Sequence, residues 1–419
     1  MQIELFGSEH EPQAQAAMHP ALEDLAQMQA MLQRWQQRRW LRALDVQLPQ
    51  TLHQLAGETN TLLWLLCALL CHQYGRGHSC ILLQDLLHDP DGLLSLPPQN
   101  QFLQRFTDRP SVVLKGLKYA DYRTALTGSS WLATDSAAPL VLHDDRLYLY
   151  RLFQAEQRVK QHLTGMLSST QPLSTNVAKT LDQLFPLQPQ TEQSAPDWQR
   201  LAAAQAVRRK LAVISGGPGT GKTTTVVRLL AALLEQPGCE HLAIGLAAPT
   251  GKAAARMAEA IRNAKAQLPV SEAIKAALPD EARTLHRLLG SRGDSPQVRH
   301  YAANPLALDV LVVDEASMVD LALMAKLLDA LPPTARLILL GDKDQLCAVE
   351  AGAVFAELCE GRGFAAQAAN ELQRITGQQV AAHGARADGN VAFSTVDRPR
   401  VPLCCRGDPL SHPPIRCLR

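Results

Sequence analysis

The chain of 419 residues is 46% hydrophobic and 19% charged, which excludes wholesale disorder and is consistent with about two to four domains. Its 41 basic and 40 acidic side chains give a net charge of +1, so the overall charge neither indicates nor excludes a nucleic-acid partner. The amino terminus lacks the basic and apolar segments of a signal peptide, and the longest apolar run, LLWLLCALLC, is too short to cross a bilayer. We therefore expect a cytoplasmic protein with no membrane partner.

Residues 1–110 are predicted to form a small helical domain. Apolar residues recur at three- and four-residue intervals over residues 19–40, which predicts one helix with acids at its start and arginines at its end. A second, more buried helix is expected near Leu62–Cys71, and a third near Cys80–Leu87.

Three cysteines of this domain, with histidines close by, raise the question of a metal site. Cys67 and Cys71 lie one helical turn apart inside an apolar segment, and Cys80 follows it. Free cysteine packs as a small hydrophobic residue in such a segment, and the spacing matches no standard zinc pattern. We therefore favour packing over metal binding.

Residues 111–197 are expected to hold a hairpin, a helix and a linker. The segment LVLHDDRLYLY, Leu140–Tyr150, alternates on both sides of an Asp-Asp turn, which is typical of a β-hairpin. The residues after it return to helical spacing. Residues 168–197 are rich in Ser, Thr, Gln and Pro, and are predicted to be a linker or surface loop.

Strands and helices alternate from residue 198 to residue 377. Uninterrupted apolar runs between helices predict an α/β fold with a parallel sheet that is covered on both faces. The predicted strands are Leu211–Ser215, His241–Ala247, Asp309–Val313 and Arg336–Leu340. The predicted helices are Lys222–Leu234, one from Lys252 onward, and one near Leu321–Leu331. Ligands of such sheets bind at the carboxyl ends of the strands.

A glycine-rich segment, SGGPGTGKTTT, joins the first of these strands to its helix and fits the pattern G-x-x-x-x-G-K-[ST]. Glycines let backbone N–H groups converge on phosphate oxygens, and the helix amino terminus adds a positive dipole end. Lys222 is expected to reach the β- and γ-phosphates of ATP, and Thr223 to bind Mg²⁺. The expected nucleotide-binding residues of this loop are Gly216, Gly217, Pro218, Gly219, Thr220, Gly221, Lys222, Thr223 and Thr224.

Two acids follow the apolar run LDVLVV at the end of the third predicted strand. An acid in that place costs burial free energy unless it binds something. Asp314 is predicted to hold Mg²⁺, and Glu315 to polarise the attacking water. The alternative, a solvent-facing acid pair at a helix start, does not account for the preceding strand. Gln345 follows the next predicted strand, where it is placed to sense the γ-phosphate. The Gly341-Asp342 pair before it is an ordinary turn and taken alone does not indicate a site.

Five segments stand in the order of motifs I, Ia, Ib, II and III of superfamily 1 DNA helicases. They are SGGPGTGKTTT, LAAPTGKAAARM, ARTLHRLLG, VVDEASMVD and LLGDKDQL. Together with GRGHSC and the hairpin segment, they resemble the RecD subunits of the RecBCD enzyme, the alpha chains of exodeoxyribonuclease V. The resemblance covers about residues 1–377.

The resemblance implies a RecA-like ATPase lobe over residues 198–377, in which Gln199 contacts adenine. It also implies that Thr250 and His286 touch single-stranded DNA and that Gln345 couples the γ-phosphate to DNA. Without the order of the motifs, the favoured interpretations are a helix cap for Thr250 and a packed helix residue for His286. The implied activity is ATP-dependent 5′→3′ translocation on DNA, in a heterotrimer with RecB and RecC that processes double-stranded DNA ends. The helical domain is implied to dock on RecC.

The sequence departs from this family after about Gly377. Residues 378–419 show no periodicity and are predicted to be a degenerate or disordered tail, of the kind that a shifted reading frame produces. Motifs of a second RecA-like lobe are not found, so that lobe is expected to be missing and the activity to be impaired.

Three alternatives stay open at this point. The first is a stand-alone helicase or relaxase-helicase. The second is a non-enzymatic fragment that only docks on RecC, and the third is a P-loop ATPase unrelated to DNA.

Overall fold

The computed structural model divides into two compact units, which are Met1–Gly75 with Cys80–Tyr150, and Arg76–Ser79 with Arg151–Arg419. The residues that the structure describes are 18–132, 138–169, 176–186, 197–217, 219–292, 295, 297–343, 345, 351–359, 366–378 and the backbone of 393–395. None of the helices in these ranges has both the length and the apolar character that a membrane crossing requires.

The first unit combines short helices with a small antiparallel sheet. Its helices are α1 Pro20–Glu23, α2 Leu25–Gln37, α3 Ala43–Ala56, α4 Thr61–Tyr74, α5 Leu83–His88, α6 Pro90–Leu94, α7 Pro110–Val113 and α8 Tyr119–Leu126. A 3₁₀ turn spans Gln99–Gln101. Its strands are β1 Cys80–Leu82, β2 Leu140–His143 and β3 Arg146–Leu149, in the order β1–β3–β2.

Helix α4 is the centre of the first unit, and its prediction as a buried helix is confirmed. Its side chains from Leu62 to Gln73 are all buried, including both cysteines. Asn60 caps the helix, because its side chain accepts a hydrogen bond from the Leu63 N–H at 3.1 Å. Burial in this apolar helix raises the pKa of the Cys67 thiol, so the thiol stays protonated.

Two helix predictions for this unit are wrong in their bounds. The helix expected over residues 19–40 is broken at Asp24, which has extended backbone angles and caps α2 through the Gln27 N–H at 2.8 Å. The apolar spacing predicts one continuous helix, but the Asp24 side chain caps α2 and so ends α1 at Glu23. The helix expected from Cys80 begins only at Leu83, because Cys80–Leu82 pairs with Arg146–Tyr148 as a strand.

The predicted hairpin is confirmed, with Asp144 and Asp145 between β2 and β3 and Asp144 at φ 54°. Strand β3 also pairs with β1, so the hairpin groups with the first unit rather than with the segment 111–197 to which the sequence analysis assigned it. The linker predicted over residues 168–197 lies largely outside the described residues. It contains one described helix, α10 Val177–Leu184, which the composition did not indicate.

The second unit is a parallel sheet between two layers of helices. Its strands are β4 Leu211–Gly216, β5 Ile244–Ala248, β6 Arg283–Thr284, β7 Val310–Val313, β8 Arg336–Gly341 and β9 Phe393–Thr395. Besides α10, its helices are α9 Tyr150–Ser168, α11 Trp198–Arg208, α12 Lys222–Leu234, α13 Gly251–Ala266, α14 Glu272–Ala277, α15 Leu285–Leu289, α16 Leu321–Ala330, α17 Val354–Cys359 and α18 Ala366–Thr376. A 3₁₀ turn spans Ala316–Met318.

The strand order of this sheet is β6–β5–β7–β8–β4–β9, and the first five strands are parallel. Alternate residues of β4 face opposite layers. Ala212 and Ile214 pack in the core with α11 and α12, whereas Leu211 and Val213 pack in the core with α9 and α16. The predicted α/β fold with a doubly covered parallel sheet is therefore confirmed.

The structure adds a strand at the edge of β4. Phe393–Thr395 pairs antiparallel with Ile214–Gly216, within the segment 378–419 for which no strand was predicted. The sheet edge at β4 is thus paired over these residues. Apart from Gln378 and this strand, the predicted degenerate tail lies outside the described residues.

Candidate nucleotide-binding site

The glycine-rich loop leaves the carboxyl end of β4 and enters α12. Gly219 and Gly221 have φ values of 77° and 79°, which side-chain-bearing residues rarely adopt, so glycine is required at both positions. Thr220 Oγ1 donates to Gly217 O at 2.9 Å and closes the loop. These contacts hold the loop in a compact turn at the start of α12, as its sequence pattern predicts. Pro218 lies outside the described residues.

The Lys222 ammonium points back into this loop. Its Nζ atom donates to Gly216 O and, at 3.1 Å, to Gly217 O. The loop thereby places a positive charge beside its own backbone, at the positively polarised amino terminus of α12. Thr223, the predicted Mg²⁺ ligand, is half-buried in the first turn of this helix, and Thr224 next to it is exposed.

The two predicted acids lie close to this lysine, although they follow another strand. Burial raises the pKa of Asp314, and the Lys222 charge and the Glu315 N–H oppose that rise. Burial also raises the pKa of Glu315, the neighbouring Asp314 adds to the rise, and Lys222 opposes it. Lys222 and two carboxyl groups with raised pKa values, Asp314 and Glu315, therefore lie together at the carboxyl edge of the sheet.

Glu315 is held in a strained backbone conformation. Its φ of 52° is in the left-handed region, and its N–H donates to Asp314 Oδ1 at 2.9 Å. The Asp314 N–H in turn donates to Ala247 O on β5 at 2.9 Å. Such strain at a side-chain-bearing residue costs about 1–3 kcal/mol and is concentrated at functional sites.

Two charged residues that the sequence analysis did not single out act on the same site. Asp342 directly follows β8 and is buried, with 8% exposure, and its charge raises the pKa of Glu315. A Cβ at Gly217 would lie 4.0 Å from Asp342 Oδ2, so this carboxylate also borders the loop. Arg256, on α13, opposes the rise in the Glu315 pKa.

The donor set fits Mg²⁺ with a bound triphosphate. Clustered carboxylates and a threonine hydroxyl are the hard oxygen ligands that Mg²⁺ prefers, together with phosphate oxygens. Burial raises the pKa of both Asp314 and Glu315, and the Lys222 charge opposes this rise without cancelling it. A divalent cation held by Asp314 and Thr223 would supply the missing positive charge.

We predict that Asp314→Asn stabilises the chain in metal-free buffer. The pKa of Asp314 is raised above its ordinary value of 3.8, so the unfolded chain loses this proton first as the pH rises. Ionisation therefore lowers the free energy of unfolding from about pH 4 upward, until the raised pKa is passed. At neutral pH the variant should therefore melt at a higher temperature than the unchanged chain. Thermal melts with EDTA from pH 4 to 8 test this, and a difference that shrinks with rising pH would contradict it.

Two protein families match separate parts of the chain. Residues 37–148 match the family described as RecBCD enzyme subunit RecD, N-terminal domain, and residues 199–351 match the family described as AAA domain. The RecBCD enzyme subunit RecD of Haemophilus influenzae is 40% identical over 316 residues, which are 73% of this chain and 48% of that protein. The chain belongs to the RecD family.

Further relatives extend this result. The RecBCD enzyme subunit RecD of Mycobacterium tuberculosis is 47% identical over 245 residues, 56% of this chain and 40% of that protein. The ATP-dependent RecD2 DNA helicase of Deinococcus radiodurans is 37% identical over 210 residues, 50% of this chain and 25% of that protein. The chain thus spans less than half the length of these relatives.

The predicted adenine contact of the RecD family, Gln199, lies beside the loop. It is in the first turn of α11, where Asp197 accepts hydrogen bonds from the N–H groups of Gln199 and Arg200 at 2.9 and 3.1 Å. Its Nε2 donates to Thr220 O at 3.1 Å, and a Cβ at Gly221 would lie 2.9 Å from that nitrogen. Gln199 therefore packs against the phosphate loop itself, and its role toward adenine stays a prediction.

Gln345 follows β8 and is exposed. Its backbone N–H donates to Asp342 O at 3.3 Å, which places the residue one turn beyond the site carboxylate. The contacts of the described residues do not bring its side chain to Lys222 or Glu315. Its role as γ-phosphate sensor also stays a prediction.

The two residues that the RecD-family motifs assign to DNA follow neighbouring strands. Ala248 of β5 is in register with Thr284 of β6, and Thr250 and His286 each come two residues later, both exposed. Thr250 Oγ1 accepts from the Ala253 N–H at 3.2 Å, so it does cap α13. The alternative that His286 is a packed helix residue is wrong, because its side chain is exposed. Both positions lie at the carboxyl edge of the sheet that carries the nucleotide site.

Proposed function

We propose that the chain is an ATP-dependent 5′→3′ DNA helicase subunit that acts in the cytoplasm with RecB and RecC on double-stranded DNA ends. The observation that carries the proposal is the meeting of Lys222 with Asp314 and Glu315 at one edge of the parallel sheet. Membership of the RecD family supports the choice of DNA and of these partners over an ATPase unrelated to DNA. Resemblance to a stand-alone helicase is weaker, since the RecD amino-terminal domain is present.

In the proposed reaction, Lys222 leaves the carbonyls of Gly216 and Gly217 and binds the β- and γ-phosphates. Asp314 and Thr223 would hold Mg²⁺, which when bound neutralises charge on the phosphate oxygens. Glu315 accepts the proton of the attacking water, and its raised pKa makes it a better base than an ordinary carboxylate. The left-handed φ of Glu315 and the hydrogen bond from its N–H to Asp314 Oδ1 hold the two acids next to each other before substrate arrives.

The motions of this lobe are proposed to reach DNA through Thr250 and His286. Both follow strands of the same sheet as Asp314, so a shift at the nucleotide edge is transmitted by short, rigid connections. Gln345 is proposed to report the γ-phosphate to these residues. The first unit is proposed to dock on RecC, in keeping with its match to the RecD amino-terminal domain.

We also propose that the 419 residues alone turn over ATP slowly. The described residues of the second unit form one sheet, with the phosphate loop at its carboxyl edge. In P-loop NTPases an arginine that reaches the γ-phosphate raises the rate about 10³- to 10⁵-fold, and in the helicases that the motifs resemble such arginines come from a second RecA-like lobe. Binding of ATP–Mg²⁺ by the single lobe is expected, whereas fast hydrolysis is not.

The experiment compares the chain alone with the chain co-expressed with RecB and RecC. A fluorescent ATP analogue measures Mg²⁺-dependent binding, and phosphate release measures turnover with and without single-stranded DNA. Absence of Mg²⁺-dependent binding would overturn the proposal. Binding without any response to DNA in the assembled complex would favour an ATPase unrelated to DNA, and co-purification without any nucleotide binding would favour a docking role alone.

A further inference from the structure

A tight hairpin beyond α15 presents an exposed tyrosine. Tyr301 and Asn304 exchange backbone hydrogen bonds at 3.1 and 2.8 Å. Asn304 Nδ2 donates to Arg299 O at 2.9 Å, and His300 Nδ1 lies 3.3 Å from Asn304 O. The turn is therefore closed by both backbone and side chains, and Tyr301 keeps 51% of its surface exposed.

This hairpin is fixed to the helix that carries His286. The N–H groups of Arg299 and His300 both donate to Leu289 O, at 3.0 and 3.1 Å, and the Leu289 side chain is fully buried. Arg299 Cβ lies 2.6 Å from the place that a Cβ at Gly290 would take, so only glycine permits this approach. Tyr301 thus stands on a rigid base.

The stretch of sequence on either side of Tyr301 is basic. Within residues 282–308, the part that the structure describes contains no acid, and Asp294, the single acid of this stretch of sequence, lies outside the described residues. The basic residues of this stretch, with all but the half-buried His300 exposed, are Arg283, His286, Arg287, Arg292, Arg299 and His300. An exposed aromatic ring among arginines is the combination with which proteins bind unpaired bases and the phosphates beside them.

We propose that Tyr301 is a stacking platform for an unpaired base of single-stranded DNA, whose phosphates are contacted by Arg299 and the basic side chains of α15. This inference rests on the proposed DNA-binding function and adds a base contact outside the five motifs. A base within a duplex is already stacked on both sides, so the platform favours single strands over double strands. Because every base has a stacking face, no sequence preference is expected.

The test measures binding of the full 419-residue chain to a fluorescein-labelled oligothymidine by anisotropy. Tyr301→Ala is expected to bind about 5- to 150-fold more weakly, which corresponds to about 1–3 kcal/mol for one stacked base. Tyr301→Phe and Tyr301→Trp keep the ring and should bind like the unchanged chain. Phe102→Ala is the matched control, because Phe102 is also an aromatic residue with 49% exposure beside an arginine, but belongs to the first unit.

An abasic oligonucleotide of the same length separates stacking from charge. On this strand, Tyr301→Ala and the unchanged chain should bind equally, whereas Arg299→Ala should weaken binding to both strands. Arg299→Ala should also lower the slope of log affinity against log salt concentration by about one, which corresponds to one lost phosphate contact. Tyr301→Ala should leave this slope unchanged. An equal loss for Tyr301→Ala on both strands would overturn the proposal.

Two further outcomes also overturn it. One is unchanged DNA affinity of Tyr301→Ala with loss of co-purification with RecB and RecC, which would assign the tyrosine to a protein partner. The other is no measurable binding of single-stranded DNA by the unchanged chain. Binding of ATP in the same preparation would then show that the failure belongs to the stacking surface and not to the proposed nucleotide site.

Discussion

Lys222→Ala is expected to lower the affinity of the chain for ATP–Mg²⁺ by about 10- to 150-fold. The Lys222 ammonium donates to two carbonyls of the phosphate loop, so it is already positioned where phosphate oxygens would replace them. A hydrogen bond to a charged group contributes about 1.5–3 kcal/mol, and each 1.4 kcal/mol is tenfold in affinity. Titration with a fluorescent ATP analogue in Mg²⁺ measures the change directly.

Lys210→Ala is the matched control for this variant. Lys210 also donates to a backbone carbonyl, Pro333 O at 2.9 Å, but it lies at the amino end of β4, opposite to the nucleotide edge. Both variants remove one lysine from the same unit, so both should fold and melt similarly. Only Lys222→Ala should lose nucleotide affinity, and equal affinities for the two variants would refute the assignment of the loop.

The phosphate loop and its helix were predictable because local residues determine them. The helix predicted over Lys222–Leu234 has those bounds in the structure, since glycines fix its start and apolar residues fill its buried face. Strand β6 was missed because two residues, Arg283 and Thr284, are too few to show a period. The break at Asp24 was missed because a capping side chain competes with the helix that the spacing favours.

The site itself was only partly predictable, because it depends on strand order. Asp314 and Glu315 could be found from their place after an apolar strand, and so could the lysine from its motif. Asp342 was given no weight, since a Gly-Asp pair is an ordinary turn in a sequence. It becomes a site residue because β8 lies between β4 and β7, which puts its end between the phosphate loop and the two acids. The effect of Arg256 on Glu315 depends in the same way on tertiary packing that no spacing reveals.

Glu315→Gln is expected to keep ATP bound while hydrolysis falls by about 10²- to 10⁴-fold. Glutamine has nearly the same shape, but it cannot accept a proton from water. It also removes one negative charge beside Asp314 and Asp342, both of which raise the pKa of Glu315. Affinity for the triphosphate should therefore be equal or higher, because two acids now face the phosphates instead of three.

This separation of binding from turnover distinguishes the general base from the phosphate-binding lysine. In Glu315→Gln, single-turnover phosphate release should be nearly lost although ATP still binds. In Lys222→Ala, the affinity for ATP itself should fall. Glu259→Gln, which changes an exposed acid on α13, serves as the control and should alter neither quantity. If Glu315→Gln instead lost affinity and turnover together, Glu315 would be a ligand of the bound nucleotide or its metal rather than the base. The strained φ of 52° would then serve to orient a ligand, and Asp342 would be the next candidate for the base.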